Sequence, residues 1–409
     1  MTELRVDGDR LWASLMEMAT HGATPAGGVC RLTGSDEDGA GRRLFIEWCE
    51  AIGCDVEVDA FGNIFARRAG TDPDRAPVVL GSHLDSQPTG GRFDGVYGVL
   101  AGLEVLRTLN DSGTATAAPV EVVSWTNEEG ARFAPAMLGS GVFAGTFELA
   151  YGLDRADRDG VRLGDELERI GFAGPHPCGG RPVGAYLEAH IEQGPILEAE
   201  GLPIGVVTGV QGIRWFDASF VGREAHAGTT PMDRRADAVV AASRLVIELD
   251  RLADEHAPDA RTTVGELHVR PSSRNTVAGR VELTVDLRHP DADVLDTLDA
   301  TLGELASTIG SDTGTIASVD RIWASPPVVF DAGCVDAVRT AAGSLGLGHR
   351  DITSGAGHDA CYLASVAPTA MVFIPCKDGL SHNEAEWADP EHCAAGADVL
   401  LGAALRLAS

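Results

Sequence analysis

Five side chains of the kinds that bind divalent metal ions are spread along this chain, each inside a short motif. They are His83 in GSHLDS, Asp94 in GGRFDG, Glu129 in NEEG, His190 in EAHIEQG and His382 in LSHNE. Three imidazoles and two carboxylates, one of which could bridge, can fill two adjacent metal sites. Such sites generate hydroxide from water at neutral pH. Glu128, directly before Glu129, supplies a carboxylate of the kind that a general base needs. The set indicates a metal-dependent hydrolase.

Each motif taken alone has a plainer interpretation. A lone histidine is usually a hydrogen-bonded structural residue, and Asp94, which precedes a predicted helix, would also serve as an N-cap. Glu128 and Glu129 could be solvated loop residues. Asp85, two residues after His83, has a specific task available, because a carboxylate can fix the tautomer of a ligating imidazole. The combination of all the motifs favours the metal site over these separate explanations.

Further residues are of the kinds that bind substrate. His226 lies among small residues in REAHAGTTP, and such a histidine could stabilise a tetrahedral oxyanion. Arg288 lies at a predicted strand end, where its forked donors could hold a carboxylate. Asn275 and the loop around Gly357 offer polar groups and close backbone approach. The plainer alternatives are a capping or packing role for the histidine and a surface ion pair for the arginine.

Composition narrows the class of protein. A chain of 409 residues is too long for one simple core, so two domains are expected. The 32 basic against 61 acidic residues give a net charge of −29, which would repel nucleic acid and anionic lipid. No apolar run reaches the roughly 20 residues that a membrane span needs, and the acidic N-terminal stretch is unlike a signal peptide. The eight cysteines include no C-x-x-C pair. A cytoplasmic protein is therefore expected.

The first half of the chain alternates strand-like and helix-like segments. The pattern predicts strands at 76–82 and 119–125, with a helix at 95–109 between them. His83 and the pair Glu128–Glu129 thus fall just after strands. In open α/β sheets, binding sites lie at the carboxyl ends of strands.

The middle of the chain has another pattern. We predict strands at 213–221, 262–269, 281–288 and 315–322, with helices at 291–309 and from Pro231, in the first turn, to about 254. The resulting order β-α-β-β-α-β is the ferredoxin-like split unit. A helix at 335–345, a strand at 369–374 and a helix at 390–407 follow. These patterns predict a discontinuous catalytic domain from residues 1–211 and 328–409, interrupted by a second domain at 212–327.

The chain resembles a known family, the amidase and hydantoinase/carbamoylase group of dinuclear zinc amidohydrolases, which are relatives of aminoacylases and zinc aminopeptidases. The strings EAHIEQGP, HAGTTP, SGAGHD and KDGLSHN carry the resemblance, which runs from about residue 60 to the C-terminus. It implies an α/β fold: a zinc-aminopeptidase-like catalytic domain with a mixed sheet, plus an inserted ferredoxin-like lid. The lid would also form a homodimer and contribute residues to the partner's site.

The resemblance also implies roles for individual residues. His83, Asp94 and His190 would hold one metal ion, and Asp94, Glu129 and His382 the other, with Asp94 bridging. Glu128 would be the general base or acid. The substrate-contacting positions are Gln193, His226, Asn275 and Arg288. The metal is zinc by resemblance, although His and carboxylate ligands also accept Mn, Co or Ni.

The implied reaction is hydrolysis of an N-carbamoyl amino acid, a small ureido compound with a carboxylate, to the free amino acid, ammonia and carbon dioxide. GSHLDSQP, NEEGARFA and DLRHP are most similar to β-ureidopropionases and L-carbamoylases. Allantoate amidohydrolases share nearly the same metal set, and a dipeptidase-like amidase or a non-catalytic metal-binding protein are further alternatives. The sequence does not choose among N-carbamoyl-β-alanine, N-carbamoyl-L-α-amino acids and allantoate.

Overall fold

A computed structural model describes residues 4–409, which form both helices and strands. The helices are α1 (Gly8–Met18), α2 (Asp36–Ala51), α3 (Val96–Asp111), α4 (Leu138–Phe143), α5 (Leu149–Leu153), α6 (Leu163–Ile170), α7 (Ile196–Glu200), α8 (Ala238–Glu255), α9 (Ala292–Thr313), α10 (Ala332–Ser344), α11 (Ala360–Leu363) and α12 (Pro390–Leu407). Short 3-10 turns lie at Met232–Arg234 and Lys377–Gly379.

The strands fall into two main sheets and one small pair. They are β1 (Asp55–Val58), β2 (Ile64–Arg68), β3 (Val78–His83), β4 (Val120–Trp125), β5 (Ala185–Ile191), β6 (Ile204–Val210), β7 (Gly212–Val221), β8 (Ala225–His226), β9 (Arg261–Thr263), β10 (Leu267–Arg270), β11 (Thr276–Val277), β12 (Arg280–His289), β13 (Ile316–Ser325), β14 (Val328–Val329), β15 (His349–Ser354) and β16 (Thr369–Ile374). The chain divides into two units, Met1–Thr208 with Val329–Ser409, and Gly209–Val328.

The larger sheet has the order β1-β2-β4-β3-β5-β16-β6-β14, with β15 paired to β6. Its centre, β4-β3-β5-β16, is parallel, whereas β2 pairs antiparallel with β4, and β6 pairs antiparallel with β16. Every residue of the four central strands is buried, as expected for parallel strands covered on both faces. The α/β fold with a mixed sheet, which the family resemblance implied, is confirmed.

Helix α3 lies unusually close to this sheet. Two of its residues are glycines, and a Cβ atom at Gly98 would lie 2.3 Å from the carbonyl oxygen of Ala189 in β5. At Gly102 a Cβ would meet the side chains of Val122 and Leu80 at 3.1 and 3.3 Å. These glycines let the helix axis approach the strands. The loop before α3 is thereby held against the strand ends.

The second unit contains, in chain order, β7, β8, α8, β9, β10, β11, β12, α9 and β13. Its sheet runs β10-β12-β7-β13, with β9 also paired to β12 and every pairing antiparallel. Burial alternates along β12, so one face of the sheet is apolar. Helices α8 and α9 pack against each other and close a core that includes Phe216, Phe220, Leu245, Leu283, Leu298 and Leu302.

Two boundaries in this unit differ from the prediction. The helix expected to start at Pro231 starts instead at Ala238, because the Asp237 side chain caps it by accepting the backbone N–H groups of Val239 and Val240. The single strand expected at 262–269 is divided into β9 and β10. Between them Glu266 exchanges hydrogen bonds with Thr284, one of them to its hydroxyl, which interrupts regular pairing.

Within residues 4–409, none of the helices combines the length and the apolar character required to cross a membrane.

Candidate metal centre

The carboxyl ends of four neighbouring parallel strands bring the predicted ligands together. His83 is the last residue of β3, and His190 lies next to the end of β5. Glu128 and Glu129 follow β4, and His382 lies in the segment after β16. Because β4, β3, β5 and β16 are adjacent, these side chains meet at one edge of the sheet. The predicted placement just after a strand is confirmed for Glu128 and Glu129, whereas His83 is the last residue of its strand.

One group of ligand-type atoms is deeply buried. It consists of His83, Asp94 and His190, whose donor atoms all lie within 4.8 Å of one another. Oδ1 of Asp94 lies 3.2 Å from Nε2 of His190 and 3.8 Å from Nε2 of His83. All three side chains are buried. The group offers two imidazole nitrogens and one carboxylate oxygen to a single point.

A second group uses the other oxygen of Asp94. Oδ2 of Asp94 lies 3.4 Å from Nε2 of His382, and Oε2 of Glu129 lies 3.4 Å from the same nitrogen. The His382 side chain is 52% exposed, so this group faces solvent. Asp94 therefore presents one oxygen to each group, the arrangement that a bridging carboxylate requires.

The backbone around Asp94 explains the glycine that follows it. The N-cap of α3 is Gly95, with φ 67°, and no side chain caps the helix. The alternative interpretation of Asp94 as the helix cap is therefore wrong, and its carboxylate is available to the two groups. A Cβ at Gly95 would lie 2.2 Å from Nε2 of His83. Only glycine both adopts this conformation freely and leaves room for the imidazole.

The electrostatics of the cluster suit bound cations. Burial, together with the charge of Asp94, raises the pKa of Glu129 to about 8. Burial alone would raise the pKa of Asp94, but its hydrogen bonds with His190 and His382 hold it well below the usual range. Several carboxylates thus share a buried space that disfavours their combined charge. Imidazole and carboxylate donors at such spacing fit two divalent metal ions, which would compensate that charge.

Glu128 adjoins the buried group without belonging to it. Its Oε2 atom lies 3.4 Å from Nε2 of His83. Burial, and then the neighbouring charges of Asp359 and Glu129, raise the pKa of Glu128 well above its ordinary value. A carboxyl group with a raised pKa beside a candidate metal site is suited to accepting and returning a proton.

Asp85 makes different contacts from those predicted. Nδ1 of His83 lies 2.9 Å from the backbone carbonyl oxygen of Asp85, whereas the nearer carboxylate oxygen is 3.8 Å away. The backbone carbonyl therefore orients the imidazole. The carboxylate instead accepts the backbone N–H groups of Glu128 and Glu129 at 3.3 and 3.2 Å, and the Thr33 hydroxyl at 2.9 Å. The Asp85 carboxylate therefore hydrogen-bonds the Glu128–Glu129 backbone and not the His83 ring.

Two predicted substrate residues lie in the same unit as the ligands. Nε2 of Gln193 donates to Oδ2 of Asp94 at 2.9 Å, and within the described residues its buried Oε1 atom has no hydrogen-bond partner. Gly357 lies in the loop between β15 and α11, where a Cβ would meet the Met137 side chain at 3.1 Å. The following residue, His358, packs its ring against His190 with centroids 4.5 Å apart.

A third group of ligand-type residues, Glu188, His190 and His358, is satisfied by the protein itself. The Glu188 carboxylate accepts the Ser82 and Tyr186 hydroxyls and the backbone N–H of Ala360. Nε2 of His358 lies 2.9 Å from the Ser354 hydroxyl. This buried network contacts His190 through the ring of His358.

Three predicted substrate residues belong to the second unit. His226 lies on strand β8 rather than in the expected loop, and its partner in β11 is Thr276. Its Nδ1 atom accepts the backbone N–H groups of Gly228 and Thr229 at 3.1 and 3.2 Å. That contact places the ring proton on Nε2, so the exposed imidazole is a hydrogen-bond donor. The backbone carbonyl oxygen of Asn275 accepts the backbone N–H group of Ala227, the residue after His226.

Arg288, on β12, makes a forked ion pair. Its Nε and Nη2 atoms donate to the Asp286 carboxylate at 3.0 and 2.8 Å. Trp215 donates to the same carboxylate at 3.0 Å. The surface ion pair considered as the plainer alternative is therefore present. The proposed grip on a substrate carboxylate stays a prediction.

Three polar contacts of the ligands were not foreseen from the sequence. Gln87 donates to Oε2 of Glu129 at 2.7 Å, and the Ser381 hydroxyl lies 2.8 Å from Oδ2 of Asp94. Glu386 accepts the backbone N–H group of Asp94 at 3.1 Å. The only signal in the sequence was position. Gln87 and Ser381 lie within motifs, and Glu386 lies four residues after His382.

Comparison with known proteins agrees with this fold and site. A family model described as "Peptidase family M20/M25/M40" matches residues 79–406. The chain belongs to this family.

A relative from Rhizobium meliloti named N-carbamoyl-L-amino-acid amidohydrolase is 53% identical over 404 residues, covering 99% of this chain and 97% of the relative. The crystal structure of an amidase of the hydantoinase/carbamoylase family from Burkholderia multivorans is 60% identical, with a TM-score of 0.97 over 99% of this chain and 98% of the other. A ureidoglycolate hydrolase from Oryza sativa subsp. japonica is 35% identical over 412 residues, covering 98% of this chain and 85% of the relative. The resemblance and the hydrolase class expected from the motifs are confirmed.

Proposed function

We propose that this protein hydrolyses N-carbamoyl-L-α-amino acids to the free amino acid, ammonia and carbon dioxide. One observation carries the proposal: Asp94 presents one oxygen to each of two ligand groups, with Glu128 beside them. The 53% identity to an N-carbamoyl-L-amino-acid amidohydrolase, over 99% of this chain, supports the choice of substrate class.

The ligand assignment is part of the proposal. His83, Asp94 and His190 would hold one divalent ion, and Glu129 and His382 would hold a second together with Asp94. Zinc is the metal we propose, although the same donors also accept Mn, Co or Ni. When bound, the two ions would polarise the ureido carbonyl and lower the pKa of water.

Glu128 would move the proton. Its Oε2 atom accepts a proton from the water that attacks the ureido carbon, and returns it to the amino nitrogen as the C–N bond to that nitrogen breaks. The amino acid leaves, and the remaining carbamic acid separates into ammonia and carbon dioxide. Burial supports this role, because a carboxyl group with a raised pKa both accepts and returns a proton readily.

The second unit would supply the substrate contacts. His226, a donor at Nε2, would stabilise the oxyanion, and Asn275 beside it would add a polar contact. Arg288 would bind the substrate carboxylate, sharing its guanidinium with Asp286. Gln193 and Gly357 would contact the substrate from the first unit.

A homodimer, with the second unit as lid and dimerisation domain, is the further part of the proposal. Its support is β13, an edge strand of the second sheet that exposes Ile316, Ile322 and Trp323. Edge strands with apolar residues readily pair with another chain. Sedimentation of the purified protein tests this: a monomer at all concentrations would contradict it. The cytoplasmic location likewise stays a prediction, which fractionation of producing cells would test.

The experiment that tests the function is release of ammonia by the zinc- or manganese-loaded protein. The panel contains several N-carbamoyl-L-amino acids, their D-enantiomers, N-carbamoyl-β-alanine, allantoate and ureidoglycolate. We expect turnover of the L-α compounds. Turnover of N-carbamoyl-β-alanine alone would make the enzyme a β-ureidopropionase, and silence on every compound with metal bound would contradict the proposal.

One other substrate has a specific observation in its favour. The 35% identical rice relative is named for ureidoglycolate, and that compound also combines a ureido group with a carboxylate. Turnover of allantoate or ureidoglycolate alone would keep the roles of Glu128 and the ligands and replace the substrate.

A further inference from the structure

Glu386 is a buried carboxylate, 3% exposed, that takes no part in either ligand group. It lies in the segment between β16 and α12. Its Oε1 atom accepts the backbone N–H groups of Phe93 and Asp94 at 2.9 and 3.1 Å. Its Oε2 atom lies 3.1 Å from the Ser381 hydroxyl, which is itself 2.8 Å from Oδ2 of Asp94. The carboxylate therefore contacts Asp94 through both backbone and side chain.

The glycine-rich turn before Asp94 is shaped around this carboxylate. A Cβ at Gly91 would lie 2.0 Å from Oε1 of Glu386 and 2.5 Å from its Cβ. Gly91 is not in the left-handed region, so space alone requires a glycine there. The motif GGRFDG thus contains one glycine that admits Glu386 and one, Gly95, that admits His83.

Aromatic packing fixes the two segments against each other. Phe93 stacks on Trp12 with ring centroids 5.7 Å apart, and Trp387 meets Phe93 edge-on at 5.8 Å. Phe93 and Trp387 are the neighbours in sequence of Asp94 and Glu386. The peptide groups and the carboxylate consequently meet in a rigid, apolar surrounding, where an unpaired N–H group would be costly.

We propose that Glu386 positions Asp94, so that each oxygen of the bridging carboxylate faces its own ligand group. This inference rests on the proposed two-metal centre. Glu386 is a positioning residue, because it reaches the metal ions only through Asp94 and Ser381. Its carboxylate accepts the backbone N–H groups of Phe93 and Asp94, in the loop directly before α3.

The test is the Zn²⁺ affinity of the purified full-length protein, measured by competition with a chromophoric chelator. Residues that orient ligands typically change metal affinity by about 10–100-fold. We expect Glu386→Ala to weaken Zn²⁺ binding by about that factor. Glu386→Gln should stay within a few-fold of the parent, because its amide oxygen can still accept both N–H groups. Glu386→Asp should resemble the alanine variant, because its shorter side chain cannot reach them.

The matched control is Glu104→Ala. Glu104 is also fully buried and accepts the Asp7 backbone N–H, but its side-chain contacts go to Arg10, Arg107 and Thr108. This variant should lose thermal stability and keep its Zn²⁺ affinity, which separates positioning from general loss of folding. Should Glu386→Ala not fold, the Asp and Gln variants decide the question.

Two results would overturn the inference differently. Parent-like affinity in the Glu386→Ala and Glu386→Asp variants, or an equal loss in Glu104→Ala, would remove Glu386 from the centre and leave the metal sites standing. A parent protein that binds no Zn²⁺ would overturn the metal centre itself and the role of Glu386 with it.

Discussion

The whole candidate site depends on the carboxylate of Asp94. One of its oxygens faces His190 and the other faces His382. Gln193 donates to the second oxygen, and a backbone hydrogen bond ties the residue to Glu386. These hydrogen bonds fix the orientation of the Asp94 carboxylate. Such control suits a bridging ligand, because each of its oxygens must face a different ligand group. Substitutions around Asp94 should therefore affect the site mainly by changing the orientation of its carboxylate, and less by changing the local charge.

Replacing Glu128 by Gln isolates the proton transfer. The amide keeps the size of the side chain but cannot accept the proton, so we expect the turnover rate to fall by about 10²–10⁴-fold. Zn²⁺ content, measured by elemental analysis, should be unchanged. The exposed α2 residue Glu47, replaced by Gln, serves as the control. Near-normal turnover of the Glu128→Gln protein would refute its role.

Replacing Gly95 by Ala should remove a ligand by steric displacement. The new Cβ would lie 2.2 Å from Nε2 of His83, and the φ angle of 67° adds backbone strain. We expect loss of Zn²⁺ from the buried group and of activity with it. Gly303→Ala, in α9 where no atom lies within 4 Å, should instead raise stability by about 0.5–1 kcal/mol. Retained Zn²⁺ in Gly95→Ala would contradict the assigned position of His83.

At the residue scale, the sequence predicted which residues form the candidate site better than it predicted their contacts. His83, Asp94 and His190 lie together, as the family resemblance implied, whereas the strand pattern alone placed only His83 and the pair Glu128–Glu129 at strand ends. The contact between Asp85 and the backbone of Glu128 was not predictable, because it depends on how two separate loops approach each other. Glu386 escaped notice for the same reason.

At the scale of elements, a buried arginine of α2, paired with Asp38 of the same helix, connects α2 to segments that adjoin strands of the large sheet. Arg42 donates to the Asp38 carboxylate at 2.7 Å and to the Gly62 carbonyl at the same distance. It also donates to the Thr126 hydroxyl, which follows β4. Both charged side chains are almost fully buried. The helix is therefore tied to the strand that precedes Glu128.

Replacing Asp38 by Ala removes the carboxylate of this ion pair and leaves the Arg42 guanidinium buried without it. Breaking a buried pair leaves an uncompensated charge, which typically costs 3–5 kcal/mol of unfolding free energy. Urea unfolding followed by circular dichroism would measure the loss. Glu248→Ala breaks a more exposed pair with Arg251 and should cost less than about 1 kcal/mol. Equal effects in the two variants would contradict the argument from burial.

Element boundaries show where local patterns were sufficient. Strand β16 and helix α12 have the predicted bounds, since strong apolar runs and an initial proline define them. The start of α8 was misplaced because Pro231 is a favourable first-turn residue, but the cap at Asp237 decides the start. Periodicity alone does not distinguish between two competing helix starts so close in sequence.

At the scale of the whole molecule, the chain carries a net charge of −29, and several of its acids are gathered in one buried cluster. Carboxylates crowded together oppose folding unless cations compensate them. Bound metal should therefore stabilise the native state, since a ligand that binds only that state adds about 2.7 kcal/mol at 100 times its dissociation constant.

Removing metal with EDTA should consequently lower the melting temperature, and adding Zn²⁺ should restore it. His382→Ala, which removes a ligand of the exposed group alone, should reduce the stabilisation in part. The measurement is differential scanning calorimetry of the treated and reloaded protein. A melting temperature that does not change when the metal is demonstrably lost would contradict the coupling.

The position of β16 in the large sheet has a consequence for the order of assembly during synthesis. This strand follows the entire second unit in the chain, yet it lies between β5 and β6, which precede that unit. A nascent chain that has made β5 and β6 cannot yet close the sheet between them. The second unit can form its own core while still attached to the ribosome. The second ligand group, which contains Asp94, Glu129 and His382, must then wait for His382, so it is completed only after the second unit and β16 have been synthesised.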